Sequence, residues 1–465
     1  MRASGVHGAR ELGEMRAPAG RRKTLLMIDY LFPPIAGPGI QRTLGYVRHL
    51  RDYGWEPIVL TVRDGEHSLY DISLLDWVPR DVAVERTTSI EPVRFAKRLL
   101  GKRSKENASS TGASGRPLWR GAKWVRNIER WMLFPDRRVG WVPFAVARAI
   151  SLNRRRPIDA IYSSSTNIMT GHLIAYLLKK RLGRPWVADF EDAWLESHVS
   201  YFPSPLHRKA AERLEHIVLR EADRVTVATE PHRRMLEQRY ARINPAKYCV
   251  IPMGVDPHLF EGIQRSPSPK FTIAHFGSFY GPRSPEPFLT AVAQCVEQDH
   301  AISRDLEVIL VGTFDAESIA LTERLIATHD LGNIVRLEGV VPYRRGLQHL
   351  ISADILLLVT DEGIWGRNLL ASKLLEYLAA GRPILTLAPE GVNADLVRAA
   401  NAGVIVRPSD IRAIRDTILR LYRQWMGGDL SFKGNPDLIR RLTWPVVTGE
   451  FASILEENLL WQALR

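Results

Sequence analysis

A carboxylate and an ammonium stand about one helical turn apart in Ser372-Lys373-Leu374-Leu375-Glu376-Tyr377-Leu378-Ala379-Ala380-Gly381-Arg382-Pro383. Leu374, Leu375 and Leu378 give the stretch an apolar face at helical spacing. Gly381 and then Pro383 stop the helix, and the strand-like run Ile384-Leu385-Thr386-Leu387 follows. At the rim of an α/β crevice, Glu376 can accept hydrogen bonds from ribose hydroxyls and Lys373 can reach a phosphate. The same spacing also fits an ion pair on a solvated surface. A second group of carboxylates, Asp189, Glu191 and Asp192, ends the run that begins Trp186-Val187-Ala188. From a strand end, Asp189 or Asp192 can orient or deprotonate a substrate hydroxyl. Capping of the following helix fits them equally well. His172, His275 and His349 are isolated, as satisfied structural histidines would be, and no D-x-D metal motif stands out.

These residues need elements to hold them. The chain has 465 residues, enough for two or three domains with their own cores. Thr24-Leu25-Leu26-Met27-Ile28-Asp29 reads as a strand, followed by a loop containing Gly37, Pro38 and Gly39 and a helix carrying Leu44, Val47 and Leu50. With the strand Glu56–Thr61 this makes a βαβ unit. Further strands are expected at Asp159–Ser164, Trp186–Phe190 and Arg224–Thr229, and the run Tyr248–Asp256 comes near the end of the domain. Gln264-Arg265-Ser266-Pro267-Ser268-Pro269 reads as a linker, after which the pattern starts again. Phe271–Gly277, Leu306–Gly312, Val335–Gly339, Ile355–Val359 and Val404–Val406 are the strands of a second parallel sheet. Two doubly wound domains place a ligand in the cleft between them, at the carboxyl ends of the strands.

Composition removes other classes. The chain is 45% hydrophobic and 25% charged, as globular proteins are. Its two cysteines, Cys249 and Cys295, exclude a disulfide scaffold and a cysteine-rich metal site and point to a reducing, cytoplasmic compartment. No apolar run reaches the ~18 residues that span a bilayer. Residues 1–22 are basic and Gly/Ala-rich without an apolar h-region, which predicts a disordered tail, with Met15 as a second candidate start. The formal charge of +13 is concentrated between Arg94 and Arg138, where thirteen Lys/Arg face three Asp/Glu. Within that segment a Ser/Gly/Ala-rich linker, 107–115, precedes a helical pattern. Trp124, Ile128 and Trp131 fall on one side of it and Arg126 and Arg130 roughly opposite. Such a face suits the inner, anionic surface of a membrane. It also suits packing into the domain's own core. No nucleic-acid motif accompanies the charge, so nucleic acid is not expected as a partner.

Taken in order, these motifs resemble retaining glycosyltransferases of the GT-B fold, in particular the large family 4 group, over roughly residues 23–440. The Ser372–Pro383 stretch is similar to that family's donor-site helix, whose Glu holds the donor ribose. The resemblance gives this role to Glu376. In much of the family a second Glu, eight positions earlier, touches the donor sugar. Asn368 stands there in this chain. Ile251-Pro252-Met253-Gly254-Val255-Asp256 resembles the motif ending the first domain, with Met253 where Asn is usual. Gly277-Ser278-Phe279-Tyr280-Gly281-Pro282-Arg283 resembles the loop whose basic residue meets the diphosphate. That implies Arg283 and Lys373 as phosphate cations, with Arg42 a third candidate. Gly37 and Gly39 match the first glycine loop, which lets backbone approach an anion at a helix N-terminus. Glu362 is a further candidate for the donor-sugar pocket. In some relatives Asp189, Asp192 and Trp194 have counterparts, and Glu191 does not match.

The implied domains are an acceptor-side domain over 23–265, with the basic insertion 94–138, a nucleotide-sugar domain over 266–440, and a C-terminal helix, 441–465, returning to the first domain. The implied reaction moves a sugar from a nucleotide diphosphate sugar, with retention and with neither cofactor nor metal, to a lipid-linked or envelope saccharide. A nucleotide-sugar epimerase of the same fold and a non-catalytic binding protein are the alternatives, the latter favoured by Asn368.

Overall fold

The computed structural model describes residues 21–36, 39–63, 65, 70–90, 131, 133–165, 168–196 and 202–463. The N-terminal tail to residue 20, Gly37, and Trp124, Arg126, Ile128 and Arg130 of the basic segment lie outside the described residues. Two all-parallel sheets organise the rest. The first contains β1 (Lys23–Ile28), β2 (Trp55–Val62), β3 (Ala83–Thr87), β4 (Ala160–Ser165), β5 (Trp186–Phe190), β6 (Arg224–Val227) and β7 (Tyr248–Val250). Its spatial order is β3-β2-β1-β4-β5-β6-β7. The second contains β8 (Phe271–Phe276), β9 (Leu306–Val311), β10 (Val335–Gly339), β11 (Ile355–Val359), β12 (Ile384–Leu387) and β13 (Gly403–Val406), ordered β10-β9-β8-β11-β12-β13.

The central strands are apolar without alternation because helices cover both faces of each sheet. Leu25, Leu26, Met27 and Ile28 are all fully buried, as are Ile355, Leu356, Leu357 and Leu358. The edge strand β3, Ala83-Val84-Glu85-Arg86-Thr87, was not expected. It carries two charges in place of an apolar run, and Glu85 pairs with Arg148 at 2.7 Å. An edge strand tolerates such charges because one side faces no neighbour.

Strand order reverses between β1 and β4 and between β8 and β11. These switch points open crevices at the carboxyl ends of the strands, and the two crevices face each other. The C-terminal segment ties the halves together. Val255 N donates to Leu442 O at 2.8 Å, and Trp444 N donates to Val255 O at 3.0 Å. The Trp444 ring lies in a slot made by two glycines. A methyl on Gly45 or Gly254 would come within 2.2 or 2.6 Å of it. Helix Trp444–Ala463 then packs on helix Ile40–His49, with Tyr46 stacked on Phe451 at 4.3 Å.

Candidate functional site

Between the two crevices lies a cleft of about 410 Å³ lined by Gly39 and Gln41 from one domain and Gly277, Arg283, Tyr343, Lys373 and Glu376 from the other. The helix Ser372–Ala380 is fastened at the strand ends. Tyr377 Oη accepts from Phe276 N at 2.9 Å and donates to Leu357 O at 3.2 Å. Ahead of the helix, buried Asn393 accepts from Ala371 N at 2.8 Å and donates to Leu369 O at 2.9 Å. Gly381, at φ 64°, ends the helix in the left-handed conformation that the sequence anticipates.

Glu376 is 7% exposed. Its Oε1 accepts from Tyr343 Oη at 2.7 Å and from Gln41 Nε2, across the cleft, at 3.1 Å. Burial raises the carboxyl's pKa, against those two hydrogen bonds and Lys373. Oε2 takes neither bond. Glu376's bonds go to Gln41 and Tyr343 and Lys373's contact is with His275, so the two do not form an ion pair with each other. Lys373 is half-buried at the cleft wall. Burial, and then Arg283, push its ammonium down to about 7. Its Nζ lies 3.4 Å from His275 Nε2. Gly277, at φ 150°, passes so close that a Cβ there would lie 2.2 Å from Lys373 Nζ. The Arg283 guanidinium lies 5.3 Å from the centre of the Tyr280 ring, and its buried Nε has no hydrogen-bond partner. Two cations thus converge beside one carboxylate that is already engaged, an arrangement suited to an anion.

Other expected residues lie elsewhere. Asp189 is fully buried, and its oxygens accept from Arg42 Nε (2.6 Å), Arg42 Nη2 (3.0 Å), Tyr162 Oη (2.6 Å) and Thr226 Oγ1 (2.6 Å). Arg42 also donates to the carbonyls of Ile251 (3.0 Å) and Pro252 (3.1 Å). This pair ties the first glycine-loop helix to β5 and to the end of the domain. It does not reach the cleft, so neither a hydroxyl base at Asp189 nor a phosphate cation at Arg42 fits this geometry. Asp192 is half-buried and does not line the cleft. Glu362 is exposed and turned to its own domain, accepting from Ser409 Oγ at 2.8 Å. Gly39 lies at the cleft, at φ 96°, immediately before helix Ile40–His49. Asn368 lines a small pocket of about 10 Å³ at a second seam between the domains, with His232, Glu196 and Trp365. There Thr229 Oγ1 donates to Asn368 O at 2.7 Å and Trp365 Nε1 to Glu196 O at 2.6 Å.

Sequence reasoning missed Gln41, Tyr343 and His232 as site residues and took His275 as merely structural. His232 is 1% exposed with both ring nitrogens unpartnered, and Glu196 Oε2 is also unpartnered, although its Oε1 pairs with Arg239. Burial pushes His232 down to about 4.

The two doubly wound sheets facing across this cleft are the GT-B fold. The model of the Glycosyl transferase 4-like domain matches residues 39–254, and that of Glycosyl transferases group 1 matches residues 270–424. The chain belongs to the glycosyltransferases of this fold. Its structure is similar to that of sucrose-phosphate synthase from Thermosynechococcus elongatus, at TM-score 0.62 and 16% identity over 95% of this chain and 100% of the other. It is also similar to Anabaena HepE in complex with UDP, at 0.61 and 15% over 94% and 100%. A glycosyltransferase from Rickettsia africae follows at 0.62 and 14%, covering 95% and 99%. These likenesses concern the fold. No curated protein matches the chain in sequence.

Proposed function

We propose that the protein transfers a sugar from a nucleotide diphosphate sugar to a lipid-linked or envelope saccharide, with retention at the anomeric carbon. The observation that carries the donor side is the convergence of Arg283, Lys373 and Glu376 in one cleft, with Gly277 pressed against the lysine. In this reading Glu376 Oε2 takes the ribose hydroxyls, and Arg283 and Lys373 hold the diphosphate. The bond between the anomeric carbon and the β-phosphate oxygen breaks as the bond to the acceptor oxygen forms on the same face. The acceptor proton passes to the departing phosphate oxygen. The two cations oppose the charge that grows on that leaving group. Gly39 and the N-terminus of helix Ile40–His49 approach the donor from the opposite wall. HepE holds UDP, so UDP is the natural first probe of the base.

Peripheral contact with an anionic membrane is part of this proposal. Among the described residues no helix is long and apolar enough to cross a membrane. Trp131, at the end of the basic segment, is 57% exposed, with its ring 5.2 Å from His207. That exposure favours lipid contact over core packing for this one Trp.

An epimerase is the second reading: that chemistry needs acid and base groups near the donor sugar, and His232 and Glu196 lie beside Asn368, the position that resembles the family's sugar contact, though outside the cleft that holds Lys373 and Glu376. Incubation with a panel of nucleotide sugars, with and without a membrane extract, separates the readings. Transfer predicts nucleoside diphosphate release that depends on the extract, with retained configuration in the product by NMR. An epimerised donor without extract supports the second reading, and binding without turnover overturns both.

A further inference from the structure

We propose that His275 is a positioning residue: its Nε2 lone pair holds the Lys373 ammonium at the diphosphate position. This rests on the reading of the cleft as a diphosphate site. His275 is 1% exposed on β8. Its Nδ1 lies 2.9 Å from the carbonyl oxygen of Leu357, which can only accept. The ring proton therefore sits on Nδ1, and Nε2 presents a lone pair. That lone pair faces Lys373 Nζ at 3.4 Å. The ring cannot turn, because Phe279 stacks on it with centroids 4.3 Å apart and 27° between planes.

The charged groups around the contact leave this arrangement one consistent protonation state. Lys373, Arg283 and Glu376 face this region from the helix Ser372–Ala380 and the loop after β8. A protonated His275 would place a third cation against Lys373 and Arg283. Burial, with Lys373 second, holds the imidazole well below its usual pKa. A neutral acceptor in this place fixes the lysine without neutralising it. A carboxylate in the same place would compete with the phosphate for the charge. With a diphosphate bound beside it, the charged ammonium keeps its other N–H donors for the ligand. Gly277 completes the device, since a Cβ there would press on the ammonium from the side of this contact, 2.2 Å from Nζ and 3.5 Å from Nε2.

The test uses the full chain and two probes, UDP and uridine. His275→Asn keeps a donor for Leu357 O and loses the acceptor for Lys373. His275→Gln reaches Lys373 with an amide oxygen. The expected result for His275→Asn is about tenfold weaker UDP binding with uridine binding unchanged, and for His275→Gln a loss of no more than about threefold. In a Lys373→Met background, His275→Asn should add nothing. Equal loss of UDP and uridine, or additive losses with Lys373→Met, would overturn the proposal in favour of a packing role. If the variants do not fold, nitrogen NMR of the wild type decides. His275 should be the neutral Nδ1–H tautomer between about pH 6 and pH 9, and an Nε2–H tautomer or an imidazolium overturns the proposal. A wild type that binds no UDP would instead sink the diphosphate reading itself.

Discussion

Gly277→Ala puts one methyl group where the account places its decisive cation. The new Cβ would lie 2.2 Å from Lys373 Nζ and 2.7 Å from its Cε. Ordinary contact requires about 3.5 Å, so the lysine tip must retreat by about 1 Å. Lys373 is flexible and can move, and the movement takes it away from His275 and the diphosphate position. Loss of a hydrogen bond to a charged group costs about 1.5–3 kcal/mol, or about 10- to 100-fold in affinity. Alanine at a positive φ adds about 1–3 kcal/mol of strain to the fold. Thermal unfolding reads the strain, and calorimetric titration reads the affinity. UDP binding should fall at least about tenfold while uridine binding stays within about twofold, because Glu376 and its partners are untouched. If the folded variant binds UDP as the wild type does, Lys373 does not hold the diphosphate and the reasoning fails.

Glu376→Ala should weaken UDP and uridine alike, by about 1–3 kcal/mol, since it removes the ribose acceptor, and equal affinities for both proteins would contradict the assignment. Arg283→Ala and Lys373→Ala should lower kcat more than they raise KM, because the charge they oppose grows in the transition state; wild-type kcat in both variants would make them bystanders. Lys373, pushed down to about 7 by burial and Arg283, should regain its full charge when a diphosphate binds beside it. Affinity is then highest below the free-site value and falls as pH rises above about 7, with proton uptake on binding between about pH 7 and pH 9. Calorimetry in buffers of different ionisation enthalpy measures that uptake, and none would contradict the prediction. Liposomes rich in anionic lipid should retain the wild type at low salt and release it at high salt. Trp124→Ser with Trp131→Ser should abolish retention without lowering Tm, and a large fall in Tm would identify the Trp124 ring as a core residue instead.

The sheets were legible because parallel strands buried on both faces write themselves as unbroken apolar runs, as in Leu25–Ile28 and Ile355–Val359. Strand β3 was not, because an edge strand needs no such run. At the site, Glu376 and Lys373 could be found because helix periodicity and the glycine stop place them on one short element. Their partners could not. Gln41 reaches Glu376 across 335 positions of chain, which only the docking of crevice to crevice reveals, and His275 reaches Lys373 across 98 within the second domain, which only its sheet order reveals. The same cause misdirected Arg42 and Asp189. Each has a residue type suited to chemistry, but the fold pairs them 147 positions apart in the core, where a bidentate ion pair with further hydrogen bonds is their stable state. Glu362 reads like a pocket carboxylate, yet the loop turns it onto Ser409.

The central claim is that the cleft between the two sheets receives a nucleoside diphosphate on Arg283, Lys373 and Glu376. A crystal structure of the protein with UDP tests it most directly. The account predicts electron density for the diphosphate within hydrogen-bond distance of Lys373 Nζ and the Arg283 guanidinium, with the ribose hydroxyls on Glu376 Oε2. UDP bound outside this cleft, or inside it with the ribose away from Glu376 and the phosphates away from both cations, would contradict it.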